Sequence, residues 1–177
     1  DGERILVSAI DAYMLMDAGL VILGATAGDD SLYGFEAEYG GHRYHGGDDS
    51  LNLLEGDDIY YGLSGNDQLY GGPGSDTLFG GADWDQLWGG IDNDFLDGGG
   101  GDDEIRGEEG DDTLSGGAGD DFMHGSDGVD TASYLSSAVK IVVDLLNNIA
   151  FENDGGQDRL WEIENIIGSN FNDELIG

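Results

Sequence analysis

A nine-residue frame runs without insertion from Tyr44 to Ser133 and repeats ten times. Stretches such as "GGPGSDTLF" (71–79) and "GGADWDQLW" (80–88) display it most clearly. The sixth position is aspartate in every unit: Asp49, Asp58, Asp67, Asp76, Asp85, Asp94, Asp103, Asp112, Asp121 and Asp130. The eighth reads Leu51, Tyr60, Leu69, Leu78, Leu87, Leu96, Ile105, Leu114, Met123 and Ala132. The fourth is glycine in eight units and aspartate in two, Asp83 and Asp92. Self-similarity at a fixed period is the signature of a stacked repeat architecture. Glycines at this density exclude a helix, since each costs about 1 kcal/mol against alanine. The unit reads as a six-residue turn followed by a three-residue strand, with the eighth residue inward and its neighbours outward. Two units then complete an 18-residue coil with one strand on each of two facing sheets. Strands of successive coils stack in parallel at about 4.8 Å.

Stacking brings the aspartates into two columns. Asp49, Asp67, Asp85, Asp103 and Asp121 fall on one edge, and Asp58, Asp76, Asp94, Asp112 and Asp130 on the other. The chain as a whole has 39 acidic residues against 5 Lys+Arg, a formal net charge of −34. Self-repulsion at that density opposes any compact state. An acidic, glycine-rich chain without further pattern would be read as disordered. Strict periodicity and 38 % apolar residues argue the other way. A cation must therefore join the fold. Carboxylates and loop carbonyls are hard oxygen donors, and six to eight of them in flexible geometry suit Ca²⁺ better than the stricter octahedron of Mg²⁺. Five loops leave four gaps per edge, so up to about eight Ca²⁺ fit the block. Nucleic acid is excluded as a partner, because nothing here neutralises phosphates. There are no cysteines for disulfides or thiolate sites. The longest apolar runs, Leu20–Leu23 and Ile141–Val143, are too short for a transmembrane segment.

The run from Tyr44 to Ser133 resembles the RTX (repeats-in-toxin, haemolysin-type) nonapeptide G-G-x-G-x-D-x-U-x. The resemblance covers about half of the chain. It implies an all-β fold, a parallel β-roll in the form of a right-handed β-solenoid with 18 residues per turn. It also implies calcium ligands: the ten sixth-position carboxylates together with backbone carbonyls of the glycine stretch, here Gly65, Gly74, Gly101, Gly110 and Gly119. Weaker echoes, "GDDSLYG" from Gly28 and "FNDELIG" from Phe171, add Asp30 and Asp173. At Asp83 and Asp92 the pattern lapses, but aspartate tolerates left-handed backbone better than most residues, so the turn is expected to survive.

Three parts follow: 1–43 as irregular cap strands with one degenerate repeat, 44–133 as the roll, and 134–177 as a hairpin flank leading into a further repeat. Arg43 or a neighbour absorbs a one-residue slip of frame. In the flank, Val139, Ile141, Val143 and Leu145 alternate, Asn147-Asn148 supplies a turn, and Ile149–Phe151 pairs back. "GGQDRLW" from Gly155 is a further echo. On the outer faces, Tyr61 and Phe79 lie 18 apart, as do Tyr70 and Trp88. Such aromatic ladders mark a candidate interaction surface. The alternative is that the N-terminal segment or residues 134–177 fold over them.

No catalytic constellation is legible. HExxH and G-x-S-x-G are missing. His42, His45 and His124 make a poor transition-metal set, since two histidines without a third ligand do not close a site. Carboxylate pairs occur everywhere and so single out no acid–base dyad. We expect a non-enzymatic, calcium-binding structural or adhesive module that folds outside the cell. The resemblance implies a bacterial protein, extracellular or at the cell surface, exported by type I secretion. Candidate partners are a protein, a glycan or a second copy. The alternative is the calcium-binding tail of a secreted protease, lipase or alginate epimerase. In either case the chain is expected to be an excerpt of a longer protein.

Overall fold

The computed structural model describes residues 31–33, 37–39, 42–44, 47–144, 146–152 and 156–176. The expected N-terminal cap strands and Asp30 lie outside the described residues. Among those residues all regular structure is β. The first strands are β1 (Ser31–Tyr33), β2 (Ala37–Tyr39), β3 (His42–Tyr44) and β4 (Ser50–Asn52). The block then supplies β5 (Ile59–Ser64), β6 (Gln68–Pro73), β7 (Thr77–Ala82), β8 (Gln86–Ile91) and β9 (Phe95–Gly100). It closes with β10 (Glu104–Glu109), β11 (Thr113–Ala118), β12 (Phe122–Asp127) and β13 (Thr131–Ser133). The flank contributes β14 (Ile141–Asp144), β15 (Ile149–Glu152), β16 (Gln157–Trp161), β17 (Asn165–Ile167) and β18 (Glu174–Ile176).

From β4 to β13 the strands sort alternately into two sheets, and β2 with β3 forms a third. One has the order β1-β5-β7-β9-β11-β13-β17, the other β18-β14-β15-β16-β12-β10-β8-β6-β4. Within the block every pairing is parallel and joins residues 18 apart, such as Leu69↔Leu87 and Tyr60↔Leu78. This is the expected β-solenoid of about five turns. The eighth-position side chains form its core, and Leu78, Leu87, Leu96, Ile105, Leu114 and Met123 have no exposed surface. One apolar side chain per half-turn is a thin core, so burial alone offsets little chain entropy.

The strands are longer than the sequence suggests. From β5 to β12 each spans six residues, carrying the first three positions of the following unit as well as the last three of its own. The turn shrinks to positions four to six. Glycines at the first and second positions lack side chains to separate neighbouring coils, so backbones pair there too, as in Gly72↔Gly90 and Gly81↔Gly99. Left-handed backbone recurs at the fourth position, where a Cβ on Gly101 would press on the Asp83 carbonyl of the preceding coil. Asp83 and Asp92 take this conformation at φ 79° and 80°, so the turn survives there. Leu54, Leu63, Glu108 and Ser126 also have positive φ, at the second position. Such non-glycine residues cost on the order of 1–2 kcal/mol each.

Ser31 pairs with Ile59, 28 residues on, rather than the 18 of an unbroken coil. The antiparallel hairpin of β2 and β3, pairing Ala37 with Tyr44, lies within that longer connection. The slip of frame is therefore taken up within a hairpin that contains Arg43, paired there with Glu38. The C-terminal hairpin is present as β14 paired antiparallel with β15. It does not fold over the aromatic ladders: β15 adds to β16, and β16 and β17 extend the two sheets beyond β12 and β13. Tyr61–Phe79 and Tyr70–Trp88 stack face to face, with centroids 4.7 and 4.2 Å apart.

Candidate metal centre

The turn that ends at position six delivers each aspartate to the seam between coils. There Oδ1 accepts a hydrogen bond from the backbone N–H of the aspartate 18 residues earlier. The donors Asp49, Asp58, Asp67 and Asp76 reach Asp67, Asp76, Asp85 and Asp94 at 2.7–2.8 Å. Asp85, Asp94, Asp103 and Asp112 reach Asp103, Asp112, Asp121 and Asp130 at 2.8–2.9 Å. The two predicted columns exist, and a backbone-to-carboxylate ladder links the turns of each.

The second oxygen is different. Oδ2 of Asp67, Asp76, Asp85, Asp94, Asp103, Asp112, Asp121 and Asp130 is buried and has no hydrogen-bond partner. These residues are at most 4 % exposed. Each Oδ2 fills the space that a Cβ would occupy on the first-position glycine of its own unit. In most units a carbonyl oxygen from the next coil borders the same space. A Cβ on Gly71 would touch Asp76 Oδ2 and lie 2.6 Å from the Gly89 carbonyl oxygen. On Gly89 it would touch Asp94 Oδ2 and lie 2.7 Å from that of Gly107. Carboxylate and carbonyl oxygens both accept and neither donates, so two acceptors converge beside each such glycine, forming a cradle. A cation, a proton or a hydrogen-bond donor such as water is needed to satisfy them.

Without a cation, protons are held tightly. Burial pushes Asp67, Asp76, Asp103 and Asp112 up to about 6, against a restraining pull from the Oδ1 hydrogen bond. Asp85 rises to about 7, and Asp94 and Asp121 to about 8, where burial is joined by neighbouring carboxylates. The fifth position supplies a contrast. There Asp48, Asp57, Asn66, Asn93, Asp102 and Asp111 all accept an N–H from the following coil, so acid and amide serve alike. Position six accepts an N–H too, yet it is a carboxylate in all ten units. The hydrogen bond does not explain that choice; a charge requirement does.

The residues therefore fit a hard, oxygen-seeking ion, and Ca²⁺ when bound supplies the countercharge these carboxylates lack. Among the described residues no three acidic or histidine side chains converge, so backbone carbonyls complete any such site. First-position carbonyls border the same space as Oδ2 in most units. At Gly65, Gly74, Gly101, Gly110 and Gly119 a Cβ would press on a carbonyl of the preceding coil, which for Gly74 is that of Gly56. Asp49 and Asp58 lack the cradle, because their units open with Tyr44 and Leu53, and Leu53 is buried in the core. Asp49 instead accepts a hydrogen bond from the Tyr60 hydroxyl at 3.1 Å. Asp173 is exposed, and the Ser169 hydroxyl and Ile141 N–H hold its carboxyl below the usual range. His124 pairs with Glu162 at 2.8 Å on the outer face.

Sequence reasoning missed Asp158 and Glu164. Asp158 Oδ1 accepts the Asp121 N–H at 3.1 Å, and Glu164 Oε2 accepts that of Asp130 at 2.8 Å. They continue both ladders beyond the block, so Asp130 does not end its column. The echo "GGQDRLW" was the available signal for Asp158. Glu164 follows only six residues later, after a truncated turn, and carries no repeat signature.

A family model described as RTX calcium-binding nonapeptide repeat (4 copies) matches residues 45–69, 61–96 and 97–132. No curated protein matches the chain. The matched segments coincide with the coils that carry the ladders and the cradles, and through them the chain belongs to the RTX calcium-binding nonapeptide repeat family.

Proposed function

We propose that this calcium-binding repeat module is a structural or adhesive element of a bacterial protein exported by type I secretion, disordered at low calcium and folded outside the cell. The observation that carries the reading is the set of eight buried, partnerless Oδ2 atoms. Left ionised they oppose folding; with calcium they drive it, so binding free energy becomes folding free energy. Up to about eight ions would serve these eight carboxylates. Eight would reduce the formal charge of −34 to about −18.

The module is read as non-catalytic. Its buried sixth-position carboxylates are committed to the ladders, and His124 is engaged by Glu162. Among the described residues no helix is long and apolar enough to cross a membrane. The stacked pairs Tyr61–Phe79 and Tyr70–Trp88 are the favoured contact surface for a protein, a glycan or a second copy. Circular dichroism of the chain in chelator and then in about 1 mM calcium, the range of extracellular modules, tests the proposal. A coil-like spectrum converting to β is expected. A full β-spectrum in chelator, with calcium absent by elemental analysis, would refute it.

A further inference from the structure

The last cradle on each edge faces the flank rather than another nonapeptide. Asp121 and Asp130 are at most 2 % exposed, and Oδ2 of each is partnerless. Inside the block, the second oxygen bordering a cradle comes from a first-position glycine carbonyl 18 residues beyond the cradle glycine. Beyond Gly125 no nonapeptide follows. The space a Cβ would fill there is instead bordered by Asp130 Oδ2 and the carbonyl oxygen of Glu162, 37 residues on. Glu162 has left-handed backbone, φ 51°, in a turn shortened to pass directly from β16 into β17. Two residues later Glu164 takes the Asp130 N–H, as a sixth-position aspartate would.

On the other edge the flank continues the ladder with a carboxylate. Asp158 accepts the Asp121 N–H, and its second oxygen accepts the buried Tyr134 hydroxyl at 2.8 Å. Tyr134 thereby fixes the carboxylate against the last coil. We infer that the flank is a disguised sixth coil that closes the last calcium site on each edge, Glu162 carbonyl and Glu164 carboxylate at Asp130, and Asp158 carboxylate at Asp121. The inference rests on the proposed calcium-coupled folding and extends it to residues outside the nonapeptide pattern. The array is thereby shifted one coil towards the C-terminus: Tyr44 and Leu53 replace glycine at its start, and the flank completes its end.

Glu164→Gln and Asp158→Asn test this in the full chain. Each amide keeps an oxygen to accept the N–H and loses the charge; in Asp158→Asn the other oxygen becomes an NH2, towards which the Tyr134 hydroxyl turns as acceptor. Bound calcium is counted by equilibrium dialysis with elemental analysis. The unmodified chain is measured first; if it binds no calcium, the proposed function itself fails. If it binds, each variant is expected to lose one ion, or to hold it at least tenfold more weakly, and the double variant to lose two. Unchanged count and affinity in all three would overturn the inference, because a purely hydrogen-bonding role survives these substitutions. Should a variant fail to fold, hydrogen exchange in the unmodified chain decides. Protection of the β16 and β17 amides is expected to rise at the same calcium concentration as that of β11 and β12. Equal protection with and without calcium would overturn it.

Discussion

Gly89→Ala places a methyl group in the middle of a cradle. Gly89 does not have left-handed backbone, so alanine itself is tolerated, and restricting the unfolded chain favours folding by about 0.4–1 kcal/mol. Two costs oppose this. The Cβ would lie 2.7 Å from the Gly107 carbonyl oxygen and 2.9 Å from Asp94 Cγ, inside van der Waals contact on both sides. Overpacking of this kind costs about 1–3 kcal/mol. The methyl also excludes the ion: a site with Kd near 0.1 mM contributes about 2.7 kcal/mol in roughly 10 mM calcium. The net loss is about 3–5 kcal/mol, or on the order of 10 °C in Tm for a domain of this size. Gly100→Ala is the control, because a Cβ there meets no atom within 4 Å and its backbone is not left-handed either. It is expected to leave Tm unchanged or slightly raised. Scanning calorimetry in saturating calcium compares the two, and calcium counts accompany it. Equal Tm and equal bound calcium in both variants would refute the cradle as the ion site.

Leu96→Ala removes a fully buried member of one of the two inward columns, which have no further layer behind them to collapse into the gap; a loss towards the upper end of about 2–5 kcal/mol is expected in urea unfolding with calcium present. Acid acts in opposite directions with and without the ion. The folded carboxyls titrate at about 6 (Asp67, Asp76) to about 8 (Asp94, Asp121), well above the unfolded value of about 3.9, so the calcium-free fold binds more protons than the coil and gains stability as pH falls through that window. In chelator, β-content by circular dichroism is expected to rise from pH 8 towards pH 5, while calcium affinity falls over the same range; a flat response in both would contradict the assignment. Tyr70→Ser with Trp88→Ser is expected to weaken self-association or partner binding and to leave calcium affinity intact, as read by sedimentation and calorimetric titration. A loss of calcium affinity would show that the stacked pair supports the sites instead.

The parts of the fold that were legible are those in which one chemical requirement recurs at every ninth residue. Leu69, Leu78 and Leu87 announce the core because each must face inward, and Asp67, Asp76 and Asp85 announce the seams because each must present a charge. Strand length was misread because glycine lacks a side chain whose alternation would reveal pairing, and Gly72↔Gly90 is visible only as backbone register. The same blindness hid the carbonyls: Gly107 presents its backbone oxygen to the cradle, a role no side chain records. The frame also dictated a false end. Asp130 looked terminal because the next in-frame residues carry no aspartate, yet parallel pairing of Thr131 with Asn165 brings Glu164 into the vacant place across 34 residues. Long-range closure by a hairpin insertion has no local sequence signature.

The most direct test of the central claim is a crystal structure of the chain grown in calcium, with the ions located by anomalous scattering. The account predicts a column of calcium peaks along each edge, each within about 2.3–2.6 Å of the Oδ2 of a sixth-position aspartate and of a first-position carbonyl from the following coil. It also predicts one peak against Asp130 and the Glu162 carbonyl. Ions confined to the outer acidic surface, with Asp76, Asp94 and Asp112 Oδ2 still lacking a cation, would contradict it.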